Sequence, residues 1–435
     1  MAPNRIIIDT DPGVDDVLAM LLAFSAKPEE LEVLMLSVQF GNIDVQSCLR
    51  NIVSLFQFIE KERAWRVQNG RPAGFETLEK TKPIVAVGAE EPLAEHMMVA
   101  DFFHGIDGLG GIHHSHPHLT PAETWKSLFQ PTPESMDAEQ AASLQAVKDQ
   151  HSLFTPSTKP APEEMLRLLR ENEPDTITIV AIGPLTNLAV AAATDPETFL
   201  RVKEVVVMGG AVDVPGNMTP GAEFNTYADS VAAARVFALT SPNPRTTMPP
   251  SIPGGKGQLP AYPETLSKQL KLKLFSLDIT TPHLLPQSLV KSYTAPLESS
   301  PLVQWASLFL SSTYRKIHSI RPTLDASTLG LEMHDPLTIW YCLTSSDPKW
   351  EFKRSEDIRV ETSGQWTRGT CIVDRRGKGM KVDSDVQHGL DDEVAGDAGG
   401  WLDERKGNRV DRCVGSPGTD VFAGVLLDRV FGGAK

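Results

Sequence analysis

Apolar runs rich in Ile and Val alternate along the chain with segments whose apolar positions recur at helical spacing. Arg5–Asp9 (RIIID) reads as a buried strand, Asp15–Ser25 as a helix, Leu31–Val38 as a strand and Val45–Lys61 as a helix. Pro83–Val87 reads as a short strand. Helical Pro162–Asn172 then leads into a strand at Thr176–Ile182, helical Thr186–Ala193 into Glu204–Met208, and helical Asp229–Ala238 into Leu272–Asp278. Strands that are apolar throughout, alternating with helices, predict an α/β fold: one large domain with an open, mainly parallel sheet and helices on both faces.

Three stretches break the rhythm. Residues 120–162 are rich in Pro, Ser, Thr and Gln, with one short helix predicted at Ala138–Lys148; residues 241–263 are rich in Pro; residues 383–411 are rich in Gly and Asp. The strand–helix pattern resumes after the first two, so all three are expected to be long surface insertions in a single domain spanning 1–435. A last helix is expected at Asp420–Phe431, docking back on the body.

Composition narrows the function classes. The 435 residues carry 56 Asp and Glu against 41 Lys and Arg, a formal net charge of −15. No basic run offers an electrostatic footprint for nucleic acid. No apolar run approaches the roughly 18 residues that cross a membrane. No charged and then apolar leader precedes Ile6, and the four cysteines (Cys48, Cys342, Cys371, Cys413) are scattered. Reduced thiols and a cytoplasmic location are the expectation.

The candidate chemistry lies at the end of the first strand. The run IIIDTDPGVDD puts Asp9, Asp11, Asp15 and Asp16 within eight positions. The strand ends near Asp9, Pro12-Gly13 makes the turn, and a helix begins at Asp15. Ligands of open α/β sheets bind at such carboxyl ends. Four carboxylates crowded there repel unless a cation neutralises them, and an all-oxygen set favours a hard ion, Ca²⁺ or Mg²⁺. Capping of a helix N-terminus needs only one of the four. An EF-hand loop counted from Asp9 fails, because its fifth position is Gly13 and its twelfth Met20. A haloacid-dehalogenase-type motif fails at Gly13 as well.

DTDPGVDD after an apolar strand resembles the N-terminal signature of the inosine–uridine preferring nucleoside hydrolases. Further segments agree in order: FGN around Asn42, HGIDGLGG from His104, IGPLTNLA from Ile182, VVVMGG ending at Gly210, GAEFNTYAD from Gly221 and MHDP from Met333. The resemblance runs from about Ile6 to about Leu343. It implies an open α/β fold with a metal at the floor of a deep pocket. Asp11, Asp16 and Asp335 would give side-chain oxygens to Ca²⁺, and Ile182 its main-chain carbonyl. Asp11 would also be the general base, and Asp15 would hold the ribose 2′- and 3′-hydroxyls. Asn42, Met208, Asn217, Glu223 and Asn225 would line the sugar site, with His104 and His334 towards the base. The family's homodimers and homotetramers imply a homo-oligomer.

The residues give partial independent support. In an extended GAEFN segment, Glu223 and Asn225, two apart, would face the same way. His334 precedes Asp335 and Pro336 and begins a helical run, where a poised acid beside a metal ligand makes sense as a second catalytic group with Asp11. The run His113, His114, His116, His118 matches no defined metal spacing and reads as a pocket-edge loop. Tyr314–Glu332 would carry base-contacting side chains. The expected activity is calcium-dependent cleavage of a ribonucleoside into base and ribose, serving nucleoside salvage. The alternatives are a related hydrolase of another ribosyl compound, or a non-catalytic nucleoside- or ribose-binding protein.

Overall fold

Three consecutive isoleucines, Ile6, Ile7 and Ile8, lie fully buried in strand β1 (Asn4–Thr10), inside the sheet. Ile6 and Ile8 pack into one apolar cluster and Ile7 into another on the opposite face. A strand apolar at every position must be covered on both sides, because its side chains alternate. The computed structural model describes residues 3–130, 153–250, 259–323, 329–378 and 396–432.

Within these residues β1 is joined in one nine-stranded sheet by β2 (Leu31–Val38), β3 (Ile84–Val87), β4 (Thr155–Pro156), β5 (Ile177–Ala181), β6 (Glu204–Met208) and β7 (Leu272–Phe275). Two small ladders stand apart, β8 (Leu284–Pro286) with β9 (Gly330–Glu332), and β11 (Arg359–Val360) with β12 (Cys371–Ile372). Strands β10 (Glu351–Glu356) and β13 (Val410–Gly415) complete the sheet, whose order is β10-β13-β7-β6-β5-β1-β2-β3-β4. Every pairing in it is parallel except β10 with β13. Helices α1 (Val14–Phe24), α2 (Val45–Gln68), α6 (Pro301–Ile320) and α7 (His334–Thr344) cover the Ile6 face. Helices α3 (Ala161–Glu171), α4 (Thr186–Thr194) and α5 (Ser230–Ala238) cover the other. The expected architecture of one large, mainly parallel α/β domain is what the chain forms.

The differences have physical causes. Helix α2 runs on past Lys61 to Gln68, because Glu62 and Arg66 are buried there as an ion pair at 2.8 Å, polar where a helical apolar period was sought. Strand β7 stops at Phe275, and Leu277–Thr280 is a helical turn whose Asp278 accepts from the Val212 and Asp213 amides. The 20-residue α6 and the polar strand β13 (VDRCVG) were not anticipated.

The insertion ranges also need correcting. In 120–162, Trp125, Leu128, Leu153 and Phe154 are buried in the core, with Phe154 stacked on Phe56 at 4.7 Å, and Thr155–Pro156 is the sheet's edge strand. The helix expected at 138–148 lies outside the described residues. In 241–263, Tyr262 is buried, with the Arg235 guanidinium over its ring, and residues 251–258 lie outside them. In 383–411, residues 383–395 lie outside, and Val410 and Asp411 already belong to β13. The last helix starts two residues later than expected, as an α-helix over Phe422–Leu427 that continues in wider π-helical turns over Asp428–Gly432. Among the described residues no helix is long and apolar enough to cross a membrane.

Glu62 ties α2 to the start of α6, whose far end forms part of the pocket wall described below. It accepts from Arg66 Nε, from Ser300 Oγ at 2.5 Å and from the Leu302 amide at 3.2 Å. Removing it strands the Arg66 guanidinium in the core. Glu62→Ala should therefore cost roughly 3–5 kcal/mol in urea unfolding. A loss within experimental error of zero would show that the pair does not hold these helices together.

Candidate active site

β1 delivers Asp9, Thr10 and Asp11 to the carboxyl edge of the sheet, Pro12-Gly13 turns the chain, and α1 starts at Val14 with Asp15 and Asp16 in its first turn. The same edge carries Asn42 after β2, Ile182 after β5 and Met208 at the end of β6. The turn needs glycine. A Cβ on Gly13 would lie 2.7 Å from His104 Nδ1 and 2.8 Å from Asn42 Nδ2.

Asp16 is held from four directions. Thr10 Oγ1 donates to it at 2.6 Å, the Asp11 amide at 3.3 Å, the Gly13 amide at 2.9 Å and Asn42 Nδ2 at 2.9 Å. The Gly13 bond is half of a capping box, so Asp16 caps α1 and joins the acidic cluster at once. Asp11 accepts the Asn42 amide at 2.7 Å through Oδ2, while its buried Oδ1 has no hydrogen-bond partner. Two glycines wall this carboxylate: a Cβ on Gly41 would lie 2.0 Å from Oδ2, and one on Gly183 2.4 Å from Oδ1. Asp9 sits one layer deeper. It is fully engaged by Ser37 Oγ at 2.5 Å, Gln39 Nε2 at 2.6 Å and Asn187 Nδ2 at 2.9 Å.

The cluster is electrostatically unfavourable by itself. Burial, and then the charges of Asp16, Asp15 and Asp9, hold Asp11 well above the carboxylate range. Burial, and then Asp16, push Asp15 up to about 7, with His334 opposing. Burial, and then Asp15, Asp16 and Asp11, raise Asp335 strongly, and its carboxyl group hydrogen-bonds that of Asp16. Two carboxyl groups in that relation must share a proton or a cation. Asp15, Asp16 and Asp335 offer oxygens within 4.8 Å of one another, the only such metal-capable group of three or more among the described residues.

These carboxylates open into a pocket of about 540 Å³. Asp15, Asn42, His104, Ile182, Met208, Asn217, Glu223, Asn225, His334 and Asp335 all line it, and Asp11 and Asp16 lie fully buried beneath. Glu223 and Asn225 do not share a face through an extended segment. Glu223 caps the short helix Phe224–Ala228, accepting from the Asn225, Thr226 and Gly210 amides, and Asn225 in its first turn donates to the Ile182 carbonyl at 3.1 Å. Asn217 supports that cap by accepting the Phe224 amide. His104 accepts the Val14 amide through Nδ1, and burial lowers its pKa to about 3, which keeps it neutral. The His113–His118 run gathers no metal site: His113 is buried between Asn51 and Thr120, while His114 and His118 are exposed.

This constellation has relatives. The inosine-uridine preferring nucleoside hydrolase model matches residues 6–395. The chain belongs to that family. The non-specific ribonucleoside hydrolase RihC of Klebsiella pneumoniae is 28% identical over 397 residues, covering 90% of this chain and 94% of that protein. Uridine nucleosidase 1 of Arabidopsis thaliana is 36% identical over 235 residues, 54% of this chain and 53% of its own length. In fold, the chain is similar to the plant nucleoside hydrolase PpNRh1, with a TM-score of 0.65, 22% identity and 99% of both chains covered. It is thus a hydrolase of the ribonucleoside class.

As a member of the nucleoside hydrolase family the chain has a site that fits a divalent cation: the donors are oxygens only, and Asp11 Oδ1 is orphaned in the protein interior. The geometric trio and the set implied by the sequence differ in one member, Asp15 against Asp11. Residues the sequence did not mark are Thr10, Ser37, Gln39 and Asn187 under the cluster and Phe102 at the pocket, while the segment Tyr314–Glu332, marked only as a whole, brings Ile317, Ile320, Arg321 and Glu332 to the pocket lining. Ser37 and Gln39 carried a signal, as polar positions ending an apolar strand. Gly183→Ala should keep the fold but press its methyl group against Asp11. Any rise in thermal midpoint given by a divalent cation should then largely vanish, with unchanged far-ultraviolet circular dichroism. A full cation-dependent rise in that variant would remove Asp11 from the cation site.

Proposed function

We propose that the chain hydrolyses the N-glycosidic bond of ribonucleosides, releasing free base and ribose, with Ca²⁺ held by Asp11, Asp16, Asp335 and the Ile182 carbonyl. The observation that carries the reading is the orphaned Asp11 Oδ1 in a buried carboxylate cluster that opens into a nucleoside-sized pocket. When bound, the cation would supply Lewis-acid chemistry, lowering the pKa of a water so that a neighbouring carboxylate can take its proton.

The chain's own residues do the rest. Asp11 takes a proton from the attacking water as its oxygen bonds to C1′. Asp15 accepts hydrogen bonds from the ribose 2′- and 3′-hydroxyls, and the surrounding carboxylates favour positive charge building on the ring. Asn42, Asn217, Glu223, Asn225 and Met208 shape the sugar end. The C1′–N bond breaks with its electron pair passing to the base, and His334 gives the base a proton. His334 is suited to that step. Burial opposes its charged form, but the hydrogen bond and charge of Glu332, with Asp15 and Glu223 behind, raise its pKa overall. A cytoplasmic role in nucleoside salvage is part of the same proposal.

Ribose release from uridine and inosine should disappear on chelation and return with Ca²⁺, and Asp16→Ala should abolish both activity and calcium binding. Full activity of metal-stripped Asp16→Ala would overturn the proposal. Binding of nucleosides without any ribose release would favour a binding protein.

The role of Asp15 is tested by the sugar. A site built around a hydroxyl leaves buried polar groups unpaired when that hydroxyl is missing, and such sites discriminate by up to about 10⁴–10⁵-fold. The kcat/KM for 2′-deoxyuridine should accordingly fall by orders of magnitude below that for uridine. Equal values would take the ribose hydroxyls away from Asp15.

A further inference from the structure

Both ring nitrogens of His334 are engaged, and neither partner lies on its own helix. Nδ1 is 2.7 Å from Thr280 Oγ1, at the end of the turn Leu277–Thr280, and Nε2 is 3.2 Å from Glu332 Oε2. Glu332 is in turn held by Arg321 Nη1, 3.1 Å from Oε1. The backbone fixes this chain of contacts. Glu332 ends β9 opposite Leu284 of β8, the Met333 amide donates to the His283 carbonyl, and Arg321 directly follows α6. Arg321, Glu332 and His334 all line the same pocket as Asp15 and Asp335.

The two partners of the imidazole are not equivalent. A threonine hydroxyl both donates and accepts, so Thr280 is satisfied by either tautomer of the ring. An ionised carboxylate only accepts, so the contact with Glu332 requires a hydrogen on the facing nitrogen, Nε2. We infer that Glu332 is the positioning residue of His334, fixing the imidazole in the pocket wall with a hydrogen on Nε2, while Arg321 fixes Glu332. The inference rests on the reading of His334 as proton donor to the leaving base. A base that takes up the Nε2 hydrogen displaces the longer of the two contacts, and Arg321 retains the carboxylate.

The test compares two ribosides. The base of uridine needs a proton to leave, whereas the nitrophenolate of 4-nitrophenyl riboside departs without one. Glu332→Leu should lower kcat on uridine by roughly 10–100-fold, the usual worth of a partner that orients a working histidine. KM should change little, and the nitrophenyl riboside should lose at most a few-fold. Glu332→Gln, which keeps an acceptor of the same shape, should recover most of the uridine rate. His334→Ala should show the same substrate pattern with a larger loss, and the double variant should be no slower on uridine than His334→Ala alone. Equal losses on both ribosides, or additive losses in the double variant, would overturn the inference. Should Glu332→Leu not fold, Arg321→Met and Glu332→Gln decide it. The inference predicts a few-fold loss confined to uridine, and an equal loss on both substrates refutes it. A wild-type enzyme that frees no ribose from any nucleoside would overturn the hydrolase reading itself, a result separable from any pattern among the variants.

Discussion

The structure is organised around a repulsion. Asp11, Asp15, Asp16 and Asp335 are buried together at the carboxyl edge of the sheet, three of them with oxygens within 4.8 Å. At such a separation each pair of charges repels by roughly 3–4 kcal/mol at an effective dielectric of about 20. A single hydrogen bond offsets roughly 1 kcal/mol. Asp16 has four donors, but Asp11 Oδ1 has none, so hydrogen bonding alone does not balance the cluster. Shared protons or a hard cation must do so. The surroundings keep the cluster in place: Gly41 and Gly183 leave room for the Asp11 carboxylate, and Asn42 bridges Asp11 and Asp16. One layer below, Asp9 is locked by Ser37, Gln39 and Asn187.

This arrangement explains why three separate motifs contain the residues they do. Gly13, Gly41 and Gly183 come from different loops, yet each stands where a Cβ would strike a side chain of the site. Asn187, two residues after Leu185 in the IGPLTNLA segment, reaches back to the first strand. Ile182 can be apolar because its backbone faces the site: its carbonyl is held by Asn225, while its amide donates to the Asp9 carbonyl.

Much of this was legible in the chain. Strands such as Ile6–Ile8 and Val205–Val207 are apolar without interruption, which only a sheet covered on both faces accommodates, and the aspartate run marked the edge where they end. What was not legible depended on polar residues in buried places. Glu62 and Arg66 hid the last turns of α2, and Arg412, paired with Glu356 and Asp278, hid β13. Glu223 and Asn225 were read as strand neighbours because a cap and the residue two after it have the same spacing as a strand face. Phe154 and Trp125 sat in a Pro- and Ser-rich stretch whose composition concealed their packing in the core. The contacts of Glu332 with His334 and with Arg321 depend on the pairing of β8 with β9 and the end of α6, which no local pattern encodes.

A crystal structure of the calcium-loaded protein decides whether a hard cation completes the carboxylate cluster. One ion is expected, with oxygens of Asp11, Asp16, Asp335 and the Ile182 carbonyl at about 2.3–2.6 Å, and Asp15 turned to the pocket beside it. An ion held by Asp15 with Asp11 outside its shell, or a cluster without a cation at saturating calcium, refutes this coordination.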